Sequence, residues 1–178
     1  MNIYWGDIHN HCGITYGFGS LENAISAARN HLDFCSVTGH AMWPDMYEGI
    51  AELKFAMDYH KKGFKKLADN WDKVRKTIME ANTAGEFITF QGYEMHSRKY
   101  GDYHIVSPDD QLPLVEARSP ADLIAKISPV QAIAILHHSG YTPGYRGGNW
   151  QEFNPEISPV AEVYSKHGCG ISDRSPYP

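Results

Sequence analysis

Apolar and polar positions change their period along the chain, and each change marks an element. "NIYWGDIH" is rich in β-branched and aromatic residues and predicts a first strand running into the Gly-rich loop "CGITYGFGS". Ser20 stands as an N-cap before "LENAISAARNHL", where Leu21, Ile25, Ala28 and Leu32 recur at helical spacing. "DFCSVT" follows as a short apolar strand ending at "GHAMWPD". Strand, loop, helix and strand in close succession are the βαβ signature of a parallel sheet.

From Asp45 to Ala84 the chain is helix-forming and charged, and "HKKGFKK" predicts a break between two helices with a solvated lysine face. "EFITFQGYE" and "DYHIVSP" each read as a strand. "SPADLIAKI" opens a helix with Ser119 as cap and Pro120 at the first helical position. "QAIAILHHSG" is continuously apolar, the pattern of a strand buried on both faces, and "ISPVAEVYSKHG" closes the set. These elements predict one α/β domain with a mostly parallel sheet, open or curled into a barrel. In such folds working residues gather at the carboxyl ends of strands.

The predicted strand ends carry the same chemistry again and again. The first ends in His9 and His11, the second in His40, the third in Glu94 and His96. "DYHIV" contains His104, the long apolar strand ends in His137 and His138, and the last segment carries Glu162 and leads to His167. Residues i and i+2 of a strand point to one side, so His9 and His11 can chelate one cation together. A carboxylate such as Glu94 can bridge two ions. Asp7, two residues before His9, is a candidate for orienting a ligand. Imidazole and carboxylate without thiolate suit Zn, Mn or Fe better than Mg or Ca.

Composition agrees. Ten histidines in 178 residues is about twice ordinary usage. The net charge of −5 argues against a nucleic-acid binder, although it leaves room for a local cationic pocket. Three cysteines, Cys12, Cys35 and Cys169, lack CxxC spacing and predict neither a disulfide framework nor a zinc knuckle. No apolar run is long enough for a bilayer and no charged-then-apolar leader opens the sequence, so the expectation is a cytoplasmic protein without membrane partners.

"GDIHNHC", followed in order by "TGH", "GYEMH", "HIV", "LHHSGY" and "EVYSKHG", resembles the PHP family, named for its polymerase and histidinol phosphatase members. The nearer resemblance is to the branch carrying "GDLHxHT", "HHxG" and "EVYSxHG", and it runs from Trp5 to about Gly168. It implies a distorted (β/α)7 barrel, two or three divalent metals (Zn, Mn or Fe) at the carboxyl ends of the strands, and phosphoester hydrolysis. Carried onto this chain, it implies that His9 and His11 hold a first metal and that Glu94 bridges to a second, completed by His104 and His138. His138 is preferred over His137 because "HSG" stands where the family has "HPG". His40 matches a third-metal histidine, and His167 is the last metal candidate.

Three departures from the family pattern stand out. Tyr16 in "TYG" replaces a ligand-bearing element, "TDH" has become "TGH", and Asp173 in "SDRSP" is followed by no histidine where a late Asp-x-His is expected. The chain is therefore expected to be a single domain, residues 1–178, lacking the C-terminal part of such a barrel, with an open sheet edge that favours a homodimer.

The chemistry implied is attack by a hydroxide shared between two ions on a small phosphoester-like substrate. Glu94 would bridge the ions, His40, where not bound to metal, would be the general acid, and Arg146 or Arg98 would grip phosphate, with Lys99 on a nearby loop. Trp43, Tyr93, Tyr141, Tyr145 and Trp150 are candidates to wall the pocket. Two alternatives stay open: an amidohydrolase-like C–N or C–O hydrolase, and a non-catalytic metal-binding remnant.

Overall fold

The computed structural model describes residues 1–142 and 144–170; Asp173 lies outside them. Strand β1 (Gly6–Asn10) leads through a loop to helix α1 (Leu21–Arg29), which Ser20 caps by accepting from the Asn23 amide at 3.1 Å. The next extended run changes partners at Thr38. Its first half is β2 (Phe34–Val37) and its second β3 (Gly39–Met42). "EFITFQGYE" does the same at Phe90, giving β4 (Ile88–Thr89) and β5 (Gln91–Met95) rather than one strand. Sheet one is the parallel set β1-β2-β4; sheet two is β3-β5 followed by β6 (Asp102–Ser107) and β7 (Ile133–His137).

The expected mostly parallel sheet needs correction. Pairs β1–β2, β2–β4 and β3–β5 are parallel, whereas β5–β6 and β6–β7 are antiparallel. For β5–β6 the reason is connection length: residues 96–101 are too few for a parallel crossover, which needs a dozen or more, whereas β6 and β7 run antiparallel although residues 108–132 and a helix intervene. Among the described residues no sheet closes, so the architecture shown is mixed α/β with parallel strands, not a complete (β/α)7 barrel. The free side of β7 is lined by the segment around Ala161, where the Glu162 amide donates to the Leu136 carbonyl at 2.8 Å. A short hairpin, β8 (Tyr164–Ser165) with β9 (Gly168–Cys169), follows.

The two helices expected between Asp45 and Ala84 are one. Helix α2 runs unbroken from Lys54 to Ala81 over 28 residues. Gly63 is not a breaker but a contact: a Cβ there would lie 2.2 Å from Cδ1 of Tyr16, whose ring rests on the bare backbone. Leu67, Trp71, Val74 and Ile78 form the buried stripe of α2 and join Tyr93, Met95, Ile105 and Leu136 in one core. Helix α3 (Pro120–Ile127) starts at Ser119 with Pro120 in its first turn, and Leu123 and Ile127 anchor it. No described helix is long and apolar enough to cross a membrane.

Candidate metal centre

Glu94 is the hub. It sits on β5 opposite His104 of β6, and no part of its side chain reaches solvent. Five imidazoles surround its carboxylate: His96 Nδ1 at 3.1 Å, His11 Nε2 at 3.3 Å, His137 Nε2 at 3.4 Å, His40 Nε2 at 3.5 Å and His104 Nε2 at 3.7 Å. None of these contacts has hydrogen-bond geometry, and neither oxygen of Glu94 accepts a hydrogen bond from any described residue. His11 Nδ1, His104 Nε2, His138 Nε2 and both nitrogens of His137 are buried and unpartnered in the same sense. A buried polar group without a partner costs about 1–3 kcal/mol, so a cluster of them at one point marks a place for a partner from outside the chain.

Their chemistry says which. Three sets of donor atoms lie close enough to hold an ion: His9, Glu94, His104 and His137; His11, His40 and Glu94; and Glu94, Asp102, His137 and His138. All three share Glu94. Nitrogen and carboxylate donors of this kind fit a divalent transition-metal or zinc ion.

Electrostatics agrees with the geometry. Burial and the nearby Asp102 push the Glu94 carboxyl well above the usual carboxylate value. Burial, with His9 and His96 beside it, pulls His11 down to about 3. Burial likewise lowers His40, His104 and His137, so these rings are neutral and their nitrogen lone pairs are free for a cation.

A second buried carboxylate has different company. Asp102, on β6, accepts at Oδ2 from His138 Nδ1 at 2.9 Å and from Arg146 Nε at 2.8 Å, with Arg146 Nη2 at 2.6 Å and His96 Nδ1 at 3.1 Å. Its Oδ1 accepts from the Ser97 amide at 3.2 Å. Burial alone would raise this carboxyl, but His96, His138 and Arg146 together hold it well below its ordinary range. His138 and Arg146 both take left-handed backbone, with φ of 55° and 75°, which non-glycine residues adopt only where surrounding contacts hold them.

The outer members are equally specific. His9 Nδ1 pairs closely with Glu162, whose other oxygen accepts from the His138 amide at 3.1 Å, so this side chain spans the gap between β1 and the β7 edge. Asp7 accepts from the His9 amide at 2.8 Å and braces the backbone rather than a ring. Tyr16 stacks on His40 with centroids 4.3 Å apart and places its hydroxyl 2.9 Å from His60 Nδ1 and 3.4 Å from His96 Nε2. His9, Glu162, Tyr16 and His60, with Arg146 and Lys166, line a cavity of about 650 Å³ open to solvent.

Of the residues picked out in the sequence, His9, His11, His40 and His104 converge on Glu94. The expected pairing of His104 with His138 is not what the fold brings together: His104 is grouped with His137, and His138 with Asp102. His167 stands at the rim, its Nδ1 hydrogen-bonded with the Tyr141 hydroxyl at 2.7 Å, outside all three donor sets. Arg146 turns the Nε–Nη2 edge that would grip phosphate onto Asp102. Arg98 lies over the Tyr47 ring at 3.9 Å, and Tyr93 is a core residue. The sequence did not single out Asp102 or His60, and it named His96 and His137 at strand ends without giving either a ligand role. The i, i+2 rule that flagged His9 and His11 also links Asp102 to His104 and Glu94 to His96.

No family model matches the chain, and no curated relative does. Among solved structures, it is similar to a two-domain protein from Bacteroides vulgatus ATCC 8482 described as containing a predicted PHP-like metal-dependent phosphoesterase. The identity is 14% and the TM-score 0.45, with 86% of this chain and 40% of that one covered.

Proposed function

We propose that this chain is a metal-dependent hydrolase of phosphoesters. The observation that carries the reading is Glu94: fully buried, without a hydrogen bond from any described residue, and ringed by imidazole nitrogens 3.1–3.7 Å away. His11 and His40 would hold one divalent ion and His9, His104 and His137 another, with Glu94 shared between them. Bound there, two such ions supply an activated water and a polarising charge for the scissile group.

The chain's own residues do the rest. Glu162 fixes the His9 ring by its Nδ1 and leaves Nε2 for the ion, the arrangement that sets tautomer and basicity in many metal sites. Thr15 Oγ1, 3.5 Å from His40 Nδ1, does the same more weakly. His40 is then a ligand and not a free acid. Lys166 at the cavity mouth favours an anionic substrate, and the ordered series from "GDIHNHC" to "EVYSKHG" supports a phosphoester within the hydrolases.

Turnover of an aryl phosphoester with Mn²⁺ present tests the reading. Loss of an outer partner of a metal ligand typically costs 10–100-fold, so His9→Ala or His137→Ala should lower turnover by at least about a hundredfold. Turnover that survives His9→Ala would mean the chemistry does not run through this centre.

A further inference from the structure

We propose that Arg146 is the third cation of this centre: its guanidinium lies against Glu94, Asp102 and His96 and serves the donor set that includes Asp102, so the chain binds two divalent ions and not three. The inference rests on the proposed metal-dependent reading and sharpens its stoichiometry.

Three donor sets share Glu94, but they are not equivalent. The sets built on His9 and on His11 contain no cationic side chain. The set that includes Asp102 is already served by one. Arg146 Nη2 lies 2.6 Å from Asp102 Oδ2, 2.7 Å from His96 Nδ1 and 3.7 Å from Glu94 Oε1. Arg146 Nε donates to the same Asp102 oxygen at 2.8 Å, so two nitrogens of one guanidinium edge converge on a single carboxylate oxygen. Asp102 Oδ2 also accepts from His138, leaving it little capacity for a metal.

The backbone locks this arrangement. The Asp102 amide donates to the Arg146 carbonyl at 3.2 Å, so the two residues are joined by main chain and side chain at once. Arg146 holds φ at 75°, between Gly144 and Gly147. At Gly101 a Cβ would lie 2.8 Å from the Gly147 carbonyl oxygen, so the loops bearing Asp102 and Arg146 meet backbone to backbone. A guanidinium keeps its charge at any working pH, and a divalent ion entering the same donor set would be repelled by it.

The test is a metal count. Chelator-stripped protein is reloaded with excess Mn²⁺, gel-filtered, and measured as ions per chain by inductively coupled plasma mass spectrometry. Wild type should retain two. Arg146→Ala, with its fold checked by circular dichroism, should retain three, and adding Asp102→Asn to it should return the count to two. Arg146→Lys, which keeps a cation, should stay at two. Three ions in wild type, or two in folded Arg146→Ala, would overturn the inference and leave the hydrolase reading standing. Fewer than one ion in wild type would overturn both. Should Arg146→Ala fail to fold, the wild-type count and Asp102→Asn alone decide: the single variant should keep two ions, and one would show that Asp102 is a ligand.

Discussion

Two carboxylates with no solvent exposure face each other across this centre, Glu94 on β5 and Asp102 on β6, and their surroundings are opposite. Asp102 is satisfied from within the chain by an arginine, a histidine ring and a backbone amide. Glu94 has imidazoles on all sides and no bond from any described residue. A buried charge must be compensated, and the chain compensates one of these carboxylates itself. The other is left for something from outside. The difference separates a structural half of the site from a half built to bind.

The largest expected effect breaks the structural half. In metal-free protein, Asp102→Asn strands the Arg146 guanidinium, whose side chain is 15% exposed, and should cost about 3–5 kcal/mol in chemical denaturation. Glu94→Gln should cost no stability, since no bond from the protein is lost and a carboxyl held well above its ordinary value is removed. Equal costs would erase the distinction.

Gly63→Ala acts on the binding half from behind. The added methyl meets Tyr16 and displaces the ring stacked on His40, for about 1–3 kcal/mol by the usual cost of overpacking. A thermal melt of this variant measures the loss, and an unchanged Tm would show that Tyr16 is not held against α2.

The pH dependence of the metal-free protein separates the carboxylates again. The histidine values are lowered in the fold, so between their ordinary 6.5 and their folded values the unfolded chain binds more protons and stability falls as pH falls. Glu94 is raised above its ordinary 4.5, so over the window above 4.5 it works the other way: the fold keeps a proton that the unfolded chain releases. Glu94→Gln removes this opposing proton and should steepen the acid-side fall by about 1.4 kcal/mol per pH unit. Asp102 is lowered below its ordinary 3.8, so its stabilisation is lost only below that pH and its replacement leaves this window unchanged. Urea titrations between pH 5 and 6.5 (about one proton's resolution is enough) read both slopes. The smallest effect is Tyr16→Phe, which keeps the stack and loses one hydroxyl to His60; about 1 kcal/mol is expected by denaturation, with the ion count unchanged.

Much of this was legible in the sequence because it depends on local rules. Ser20, Ser119 and Pro120 mark their helices, and the i, i+2 spacing of His9 and His11 points both rings to one side. What was missed depends on contacts between distant segments. Gly63 reads locally as a breaker, and only the Tyr16 ring explains why an unbroken helix carries it. "EFITFQGYE" has the pattern of one strand, yet its halves pair in different sheets because the run it follows, Phe34–Met42, also switches at Thr38. The antiparallel turn at β5–β6 could have been read from the short "HSRKYG" connection. His138 was preferred on the match of "HSG" to the family's "HPG", a local likeness that says nothing of the strand phase that groups His137 with His104. His60 gives no signal, since a single histidine on a lysine-rich helix looks like any solvated residue.

The most direct test of the central claim is the metal content of the Glu94→Gln protein beside wild type, both purified without added metal and then reloaded with Mn²⁺. The account predicts two ions per chain in wild type and fewer than one in a folded Glu94→Gln variant, since every donor set shares that carboxylate. An unchanged count in the variant would contradict it.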